Sequence, residues 1–198
     1  MLSGQIPGSV PDVTRADEAT SDEAVLLRRI ASGDRDAFET LYRGYFPRLT
    51  RFLERVMRRP HAVEEVLNDT MLVVWRKAAT FNGQSKVSTW IFSIAFRKAL
   101  KAVKRFDDPM ESDTQVFEST LPGPEGLLMQ KQRGALLLKQ IGRMSAEHRA
   151  VIELTYYHGC AYREIAEIMG CPVDTVKTRM FHARRRLRQF LSDRKEDL

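Results

Sequence analysis

The chain has few cysteines and no long apolar run. Two cysteines in 198 residues exclude a disulfide scaffold and point to a reducing cytosol. Stretches such as Met71 to Trp75 fall far below the roughly 18 residues a membrane span needs, so no membrane insertion is expected. The start, MLSGQIPGSVPDV, lacks the basic region and apolar core of a secretory signal. No alternating apolar run is bounded by an Asn-Gly or Asp-Gly turn, so strand signals are weak. No repeat at a solenoid period and no low-complexity tract is visible. With 43% hydrophobic residues the chain is too apolar for wholesale disorder. Nothing resembles a Walker loop, a nucleophile triad or a metal-ligand cluster, so no catalytic residue, metal or cofactor is expected.

What is present is positive charge, unevenly placed. The net charge is +6. Residues 1–37 are net −3, residues 38–106 net +9, residues 107–129 net −6 and residues 130–191 net +7. Two basic blocks around an acidic strip point to an acidic partner such as nucleic acid. The strip also holds Pro109, Pro122, Gly123, Pro124 and Gly126, and reads as a flexible linker. Residues 1–21 lack periodicity and read as a mobile leader.

Helical patterns fill the rest. They cover 22–32, ending near Gly33, 34–58 with an interruption around Pro47, 61–79 and 89–105. Beyond the linker they cover 127–143, 146–157 with Ser145 as N-cap, 162–169 and 173–191. The expected fold is all-α. A leader (1–21) precedes an N-terminal helical domain (22–106), an acidic linker (107–129) and a C-terminal helix-turn-helix domain (130–198).

In the C-terminal block, Ile165, Ala166 and Met169 mark the inner face of a short helix. Gly170 stands at the turn, where a left-handed backbone is needed, and Pro172 where a new helix starts. On the second helix Val176, Met180, Ala183 and Leu187 face inward, leaving six Lys/Arg and no acid between 177 and 188. A helix-turn-helix sends the N-terminal half of its second helix to base edges, which here carries Lys177, Thr178, Phe181 and His182. Arginines further along suit phosphates. Cys160 and Cys171, flanking 162–169, read as small buried hydrophobes, with a redox or metal pair as the alternative.

In the N-terminal block, helix 61–79 sets Glu64, Glu65, Asn68, Asp69 and Leu72 opposite its core face, a pattern that fits a protein-contact surface. Helix 89–105 carries a basic stripe of Arg97, Lys98, Lys101, Lys104 and Arg105. Before it, a polar loop with Gly83 lies between Phe81 and Trp90, a frame that can hold an unstacked base if the two rings are not simply core anchors. Two other readings are a stand-alone dimeric helix-turn-helix regulator and a nucleic-acid-processing enzyme. The first leaves the acidic face unexplained; the second lacks an acid/base cluster.

The motifs DAFETLYRGYFPRL, HAVEEVLNDTMLVVW and FNGQSKVSTWIFSIAFRKAL, followed by MSAEHRAVIELTYYHGCAYREIAEIMGCPVDTVKTRMFHARRRL, resemble the extracytoplasmic-function sigma factors of bacterial RNA polymerase. The resemblance covers about 120 residues, in the expected order. It implies a cytoplasmic initiation factor that binds core RNA polymerase and promoter DNA and is held in check by an anti-sigma factor. By resemblance, Glu64, Glu65, Asn68, Asp69 and Leu72 dock on the beta-prime clamp helices. Phe81, Asn82, Gly83, Gln84, Ser85 and Lys86 form the loop that captures a flipped minus-ten base, with Ser88, Thr89, Arg97, Lys98 and Lys101 nearby. Lys177, Thr178, Phe181 and His182 read the minus-thirty-five element, Arg149, Arg179 and Arg184 hold its backbone, and this domain sits on the beta flap. The linker then threads toward the RNA exit path. Asn68-Asp69 replaces the family's usual Gln-Glu, and the loop reads Asn-Gly-Gln in place of Arg-Gly-Glu, so the promoter sequence does not carry over. The few residues after Leu191 leave little room for an appended sensory domain.

Overall fold

The computed structural model describes residues 13–106 and 125–193, the side chains from 22 to 105 and from 134 to 192. In chain order the helices are α1 (Val13–Ala31), α2 (Arg35–Met57), α3 (Pro60–Lys77), a 3-10 turn at Ala78–Thr80, and α4 (Val87–Phe106). Then follow α5 (Glu125–Gly142), α6 (Ala146–Tyr156), α7 (Tyr162–Met169) and α8 (Val173–Asp193). No strand occurs among the described residues. No helix among them is long and apolar enough to cross a membrane.

Local chemistry sets the boundaries. Gly33, at φ +87, ends α1, and the Asp34 carboxylate then accepts the Ala37 N–H at 3.0 Å to cap α2. Arg29 Nε also donates to Asp34, at 2.8 Å. The Ala37 N–H and Arg29 hold the Asp34 carboxyl below its usual range. Pro60 starts α3, where its missing N–H is an orphan in any case. Ser145 caps α6, accepting the His148 N–H at 3.5 Å.

Three expectations change. Helix α1 begins at Val13, so residues 13–21 are helical where a leader was expected; residues 1–12 lie outside the description. Helix α5 begins at Glu125, inside the expected linker, of which 107–124 lie outside the description. Helix α2 runs unbroken through Pro47. That residue is exposed, so the carbonyl it leaves without a helical partner can face water.

Helices α1–α4 pack around Leu41, Leu49, Phe52, Leu67, Met71, Val74, Ile91 and Phe92, none more than 2% exposed. Tyr45, equally buried, donates to Glu23 Oε2 at 2.8 Å. The C-terminal domain does not stand apart. Helix α6 packs on α2 and α7 on α4, and one continuous core joins Phe52 and Phe92 to Val151, Leu154 and Ile165.

His158, in the turn after α6, is the wedge of this junction. Its ring lies 4.6 Å from Phe92 and 6.1 Å from Phe52, centroid to centroid. Its Nε2 is buried without a hydrogen-bond partner. Burial, then the charges of Arg48 and Arg51, depress its pKa to about 4. The folded chain thus holds the neutral ring, while the unfolded chain takes up a proton near pH 6.5. Stability is expected to be full above pH 6.5 and to fall as the pH drops from there toward 4. His158→Phe keeps the aromatic wedge and removes the orphaned nitrogen. It is expected to raise stability by about 1 kcal/mol and to flatten the change in Tm between pH 7 and pH 5. An unchanged pH slope, followed by circular dichroism, would assign that slope to other groups.

Candidate nucleic-acid and protein interfaces

Helix α3 is two-faced as its spacing requires. Ala62, Val63, Val66, Leu67, Thr70, Met71 and Val74 are buried. Glu64, Glu65, Asn68 and Asp69 are exposed, and Leu72 is 42% exposed among them. Tyr42 Oη donates to Asn68 Oδ1 at 2.9 Å, tying the stripe to α2. Helical spacing alone does not show what lies beside it. Asp69 pairs with Lys98 Nζ at 2.8 Å, and Glu65 lies 3.9 Å from Arg105. The acidic stripe and the basic stripe of α4 therefore flank one shallow groove, floored by Ala62, Val66 and Ala102. An aromatic pair four residues apart on α2 could have hinted at this surface. Tyr42 and Phe46 stack at 5.8 Å, and Phe46 is 44% exposed.

The loop before α4 is shaped by short-range chemistry. Asn82 Oδ1 accepts the Gln84 N–H at 3.1 Å, and Gly83 takes φ +73, which favours glycine. Phe81 and Trp90 pack together at 5.5 Å, both half-buried against the core, as an anchored rim to the loop. Asn82, Gly83 and Gln84 are exposed and Ser85 and Ser88 half-buried. Lys86 reaches across to the C-terminal domain and pairs with Glu164 Oε1 at 2.8 Å. Along α4, Arg97 and Lys101 are exposed, with Arg97 Nη2 donating to Ser93 Oγ at 3.2 Å. Thr89 departs from its expected place: only 5% exposed, it lies inside the core face of α4 and does not front a DNA strand in this arrangement.

In the C-terminal domain Gly170 takes φ +62 at the end of α7, and its N–H bonds back to Ala166 O and Glu167 O. Glu164 Oε2 accepts the Ala161 N–H at 2.7 Å, securing the start of α7. Ile165, Ala166, Val176, Met180 and Ala183 are buried. Ile168 is buried as well, whereas Met169, expected on the inner face, is only partly covered. On α8 Phe181 is 61% exposed, with the His182 ring edge-on to it at 5.6 Å. Lys177 is held by Asp174 Oδ1 at 2.9 Å, and Thr178 Oγ1 donates to Asp174 O at 2.9 Å. Arg184 Nε donates to Tyr156 Oη at 2.9 Å. The exposed Tyr156 thus belongs beside this surface, although no local pattern marks it. Arg179 is half-buried, with Nη1 3.6 Å from Cys171 Sγ.

Arg149 requires a correction. It was expected to grip DNA backbone, yet it is 8% exposed. Its Nε and Nη2 donate to Val56 O at the end of α2, at 3.1 and 2.5 Å. Its Nη1 donates to Met144 O and, at 3.4 Å, to Gly142 O. A guanidinium satisfied by buried carbonyls is not presented to phosphate in this arrangement. Cys160, half-buried, has its thiol pushed up to about 11 by burial, so it is not a ready thiolate.

Comparison with known proteins finds two family matches in the chain. Residues 41–108 match the family Sigma-70 region 2, and residues 134–187 match Sigma-70, region 4. An ECF RNA polymerase sigma factor, RpoE, from Cereibacter sphaeroides is 30% identical over 179 residues, covering 89% of this chain and 99% of that protein. The ECF RNA polymerase sigma-E factor of Escherichia coli is 28% identical, over 82% of this chain and 90% of its own. Among solved structures, the sigma factor RpoE of Bartonella quintana, crystallised with the anti-sigma factor NepR, is 25% identical. It superposes with a TM-score of 0.63 over 78% of this chain and 96% of its own. CnrH, solved with the cytosolic domain of CnrY, gives the same TM-score at 23% identity and shares the fold. With an acidic helix face and a basic helix-turn-helix in one all-α chain, matched along nearly its whole length, this protein belongs to the ECF sigma factors of bacterial RNA polymerase.

Proposed function

We propose that the chain acts in the cytoplasm as an initiation factor without catalysis of its own, and that its surfaces divide the work. Glu64, Glu65, Asn68, Asp69 and Leu72 dock on the beta-prime clamp helices of core polymerase. The loop from Phe81 to Lys86, with Ser88, Arg97, Lys98 and Lys101, takes the displaced minus-ten strand. Capture of a flipped base there offsets an unstacking cost of a few kcal/mol. Lys177, Thr178, Phe181 and His182 read the minus-thirty-five element, with Arg184 on its backbone and the domain seated on the beta flap. The linker runs toward the RNA exit path. Control by an anti-sigma factor fits relatives such as the Bartonella quintana protein, which was crystallised with one.

The observation that carries this reading is the coexistence of two exposed surfaces of opposite sign. One is the acid stripe of α3 around Leu72; the other is the acid-free basic stretch of α8 around Phe181. A stand-alone DNA-binding regulator uses only the second. The test is transcription by purified core polymerase on a library of random promoters, with and without the protein. New start sites found only with the protein support the assignment and give the promoter motif. Tight DNA binding without new starts would favour the stand-alone regulator.

Lys177→Ala tests the recognition helix. Its ammonium is exposed and paired with exposed Asp174, so stability should change by less than about 0.5 kcal/mol. Discrimination at one minus-thirty-five position is expected to fall by about 1–3 kcal/mol, read by competition among duplexes. An equal loss on every sequence would make Lys177 a phosphate contact.

A further inference from the structure

The chain has two asparagines, Asn68 and Asn82, and they differ in the freedom of the peptide nitrogen that follows each. Asn68 lies inside α3, where the next N–H is spent on a helical carbonyl. Its Oδ1 is also held, by Tyr42 Oη at 2.9 Å. Asn82 is exposed in the loop between the 3-10 turn and α4, and a glycine follows it. The Gly83 N–H has no hydrogen-bond partner among the described residues. Gly83 carries no side chain to shield that nitrogen, and a methyl group there would meet nothing within 4 Å.

The turn brings the two reacting groups together. The Gln84 N–H donates to Asn82 Oδ1 at 3.1 Å, which folds the carboxamide back over the Gly83 peptide. The same bond places a donor on the oxygen that gains negative charge when a nucleophile adds to Cγ. The Gly83 nitrogen gives its proton to a base in solution and bonds to Asn82 Cγ. The Cγ–Nδ2 bond then breaks, and ammonia leaves with the proton returned to it. The resulting succinimide takes up one water. Opening at Cγ gives aspartate; opening at the backbone carbonyl gives isoaspartate, in which the main chain runs through Cβ. Solvent water is the only co-reactant.

We infer that Asn82 is a site of spontaneous covalent modification in the folded protein, and that its conversion ends the loop's capacity to take the minus-ten strand. The effect on transcription rests on the assignment of that loop made above. Between Phe81 and Lys86 the only charged side chain is Lys86. A carboxylate at 82 puts negative charge where a phosphate backbone must approach. Isoaspartate also lengthens the backbone by one methylene between Phe81 and Trp90, whose packed rings fix the two ends of the loop. Lys177, Thr178 and Phe181 take no part in the reaction, so duplex reading outlasts strand capture. The free factor therefore carries its own limit on working life.

The test incubates the full chain in mildly alkaline and in mildly acidic buffer and follows both asparagines by peptide mass mapping. The Asn82 peptide is expected to gain the mass of an NH2-to-OH exchange and to split into two chromatographic isomers, faster in the alkaline buffer. The Asn68 peptide is expected to stay unchanged. Transcription with core polymerase should fall by about tenfold on full conversion, while binding to a minus-thirty-five duplex holds. Asn82→Gln would need a six-membered ring to react, so it should keep its own starting level of transcription through the same incubation. An Asn82 amide that survives in the folded chain but converts in the urea-unfolded chain would overturn the site. So would equal conversion of Asn68 and Asn82. Conversion with no loss of transcription would overturn its effect on the loop. If fresh wild type supports no transcription, the reading of function fails while the mass map still decides the site.

Discussion

Arg149→Ala is expected to lower the unfolding free energy by about 3 kcal/mol or more, placing it among the most damaging single changes in the chain. The guanidinium is 8% exposed and serves carbonyls of Val56, Met144 and Gly142. Truncation leaves those acceptors buried and opens a void where the arginine stem lay. Gly142 O retains Arg58 as a donor, whereas Val56 O loses both of the bonds that Arg149 gives it. The loss should therefore fall on the junction of α2 with α6. Urea denaturation is expected to show a lower midpoint, with helical content before the transition unchanged. If stability holds and only DNA affinity falls, Arg149 faces phosphate and the buried placement is wrong.

Glu65→Lys combined with Asp69→Lys is expected to weaken core polymerase binding by about a hundredfold, near 3 kcal/mol, because like charges juxtaposed across an interface cost several kcal/mol. Both side chains are well exposed, 62% for Glu65 and 56% for Asp69, so the fold should tolerate the change. Each substitution removes a partner of the basic stripe on α4, Arg105 and Lys98 respectively. Such exposed pairs contribute little to stability, but their loss leaves more positive charge on the stripe. Binding to a minus-thirty-five duplex without polymerase should be unchanged, since α8 carries that contact. Measured by fluorescence anisotropy, an unchanged polymerase affinity would move the docking surface off α3.

Much of the secondary structure follows from neighbours within four residues, and it was legible for that reason. Ser145 caps α6 and Gly170 turns left-handed after α7 as their chemistry demands. Helix α7 occupies 162–169 as its apolar spacing predicts, and the acidic and basic stripes face outward because Val63, Val66, Val74, Ile91 and Ile94 turn in. The local rules erred where a local signal was permissive. Pro47 does not stop α2, since an exposed turn can leave one carbonyl to water.

The amino-acid sequence by itself thus determined most of the helices, the Ser145 cap, the two-faced patterns and the family. The tertiary structure alone decided which charges remain on offer. Arg149 and Arg184 look alike as basic residues of the C-terminal block. One finds Val56 O from 93 positions away and disappears into a seam, while the other stays at the surface beside Tyr156. Lys86 and Lys101 look alike in the N-terminal block, yet Glu164 claims only the first. Helical periodicity registers which face of a helix is apolar; it carries no information on which distant element will cover that face. The fate of a charge depends on that covering element, because burial beside a carbonyl or carboxylate turns a potential phosphate contact into a structural bond.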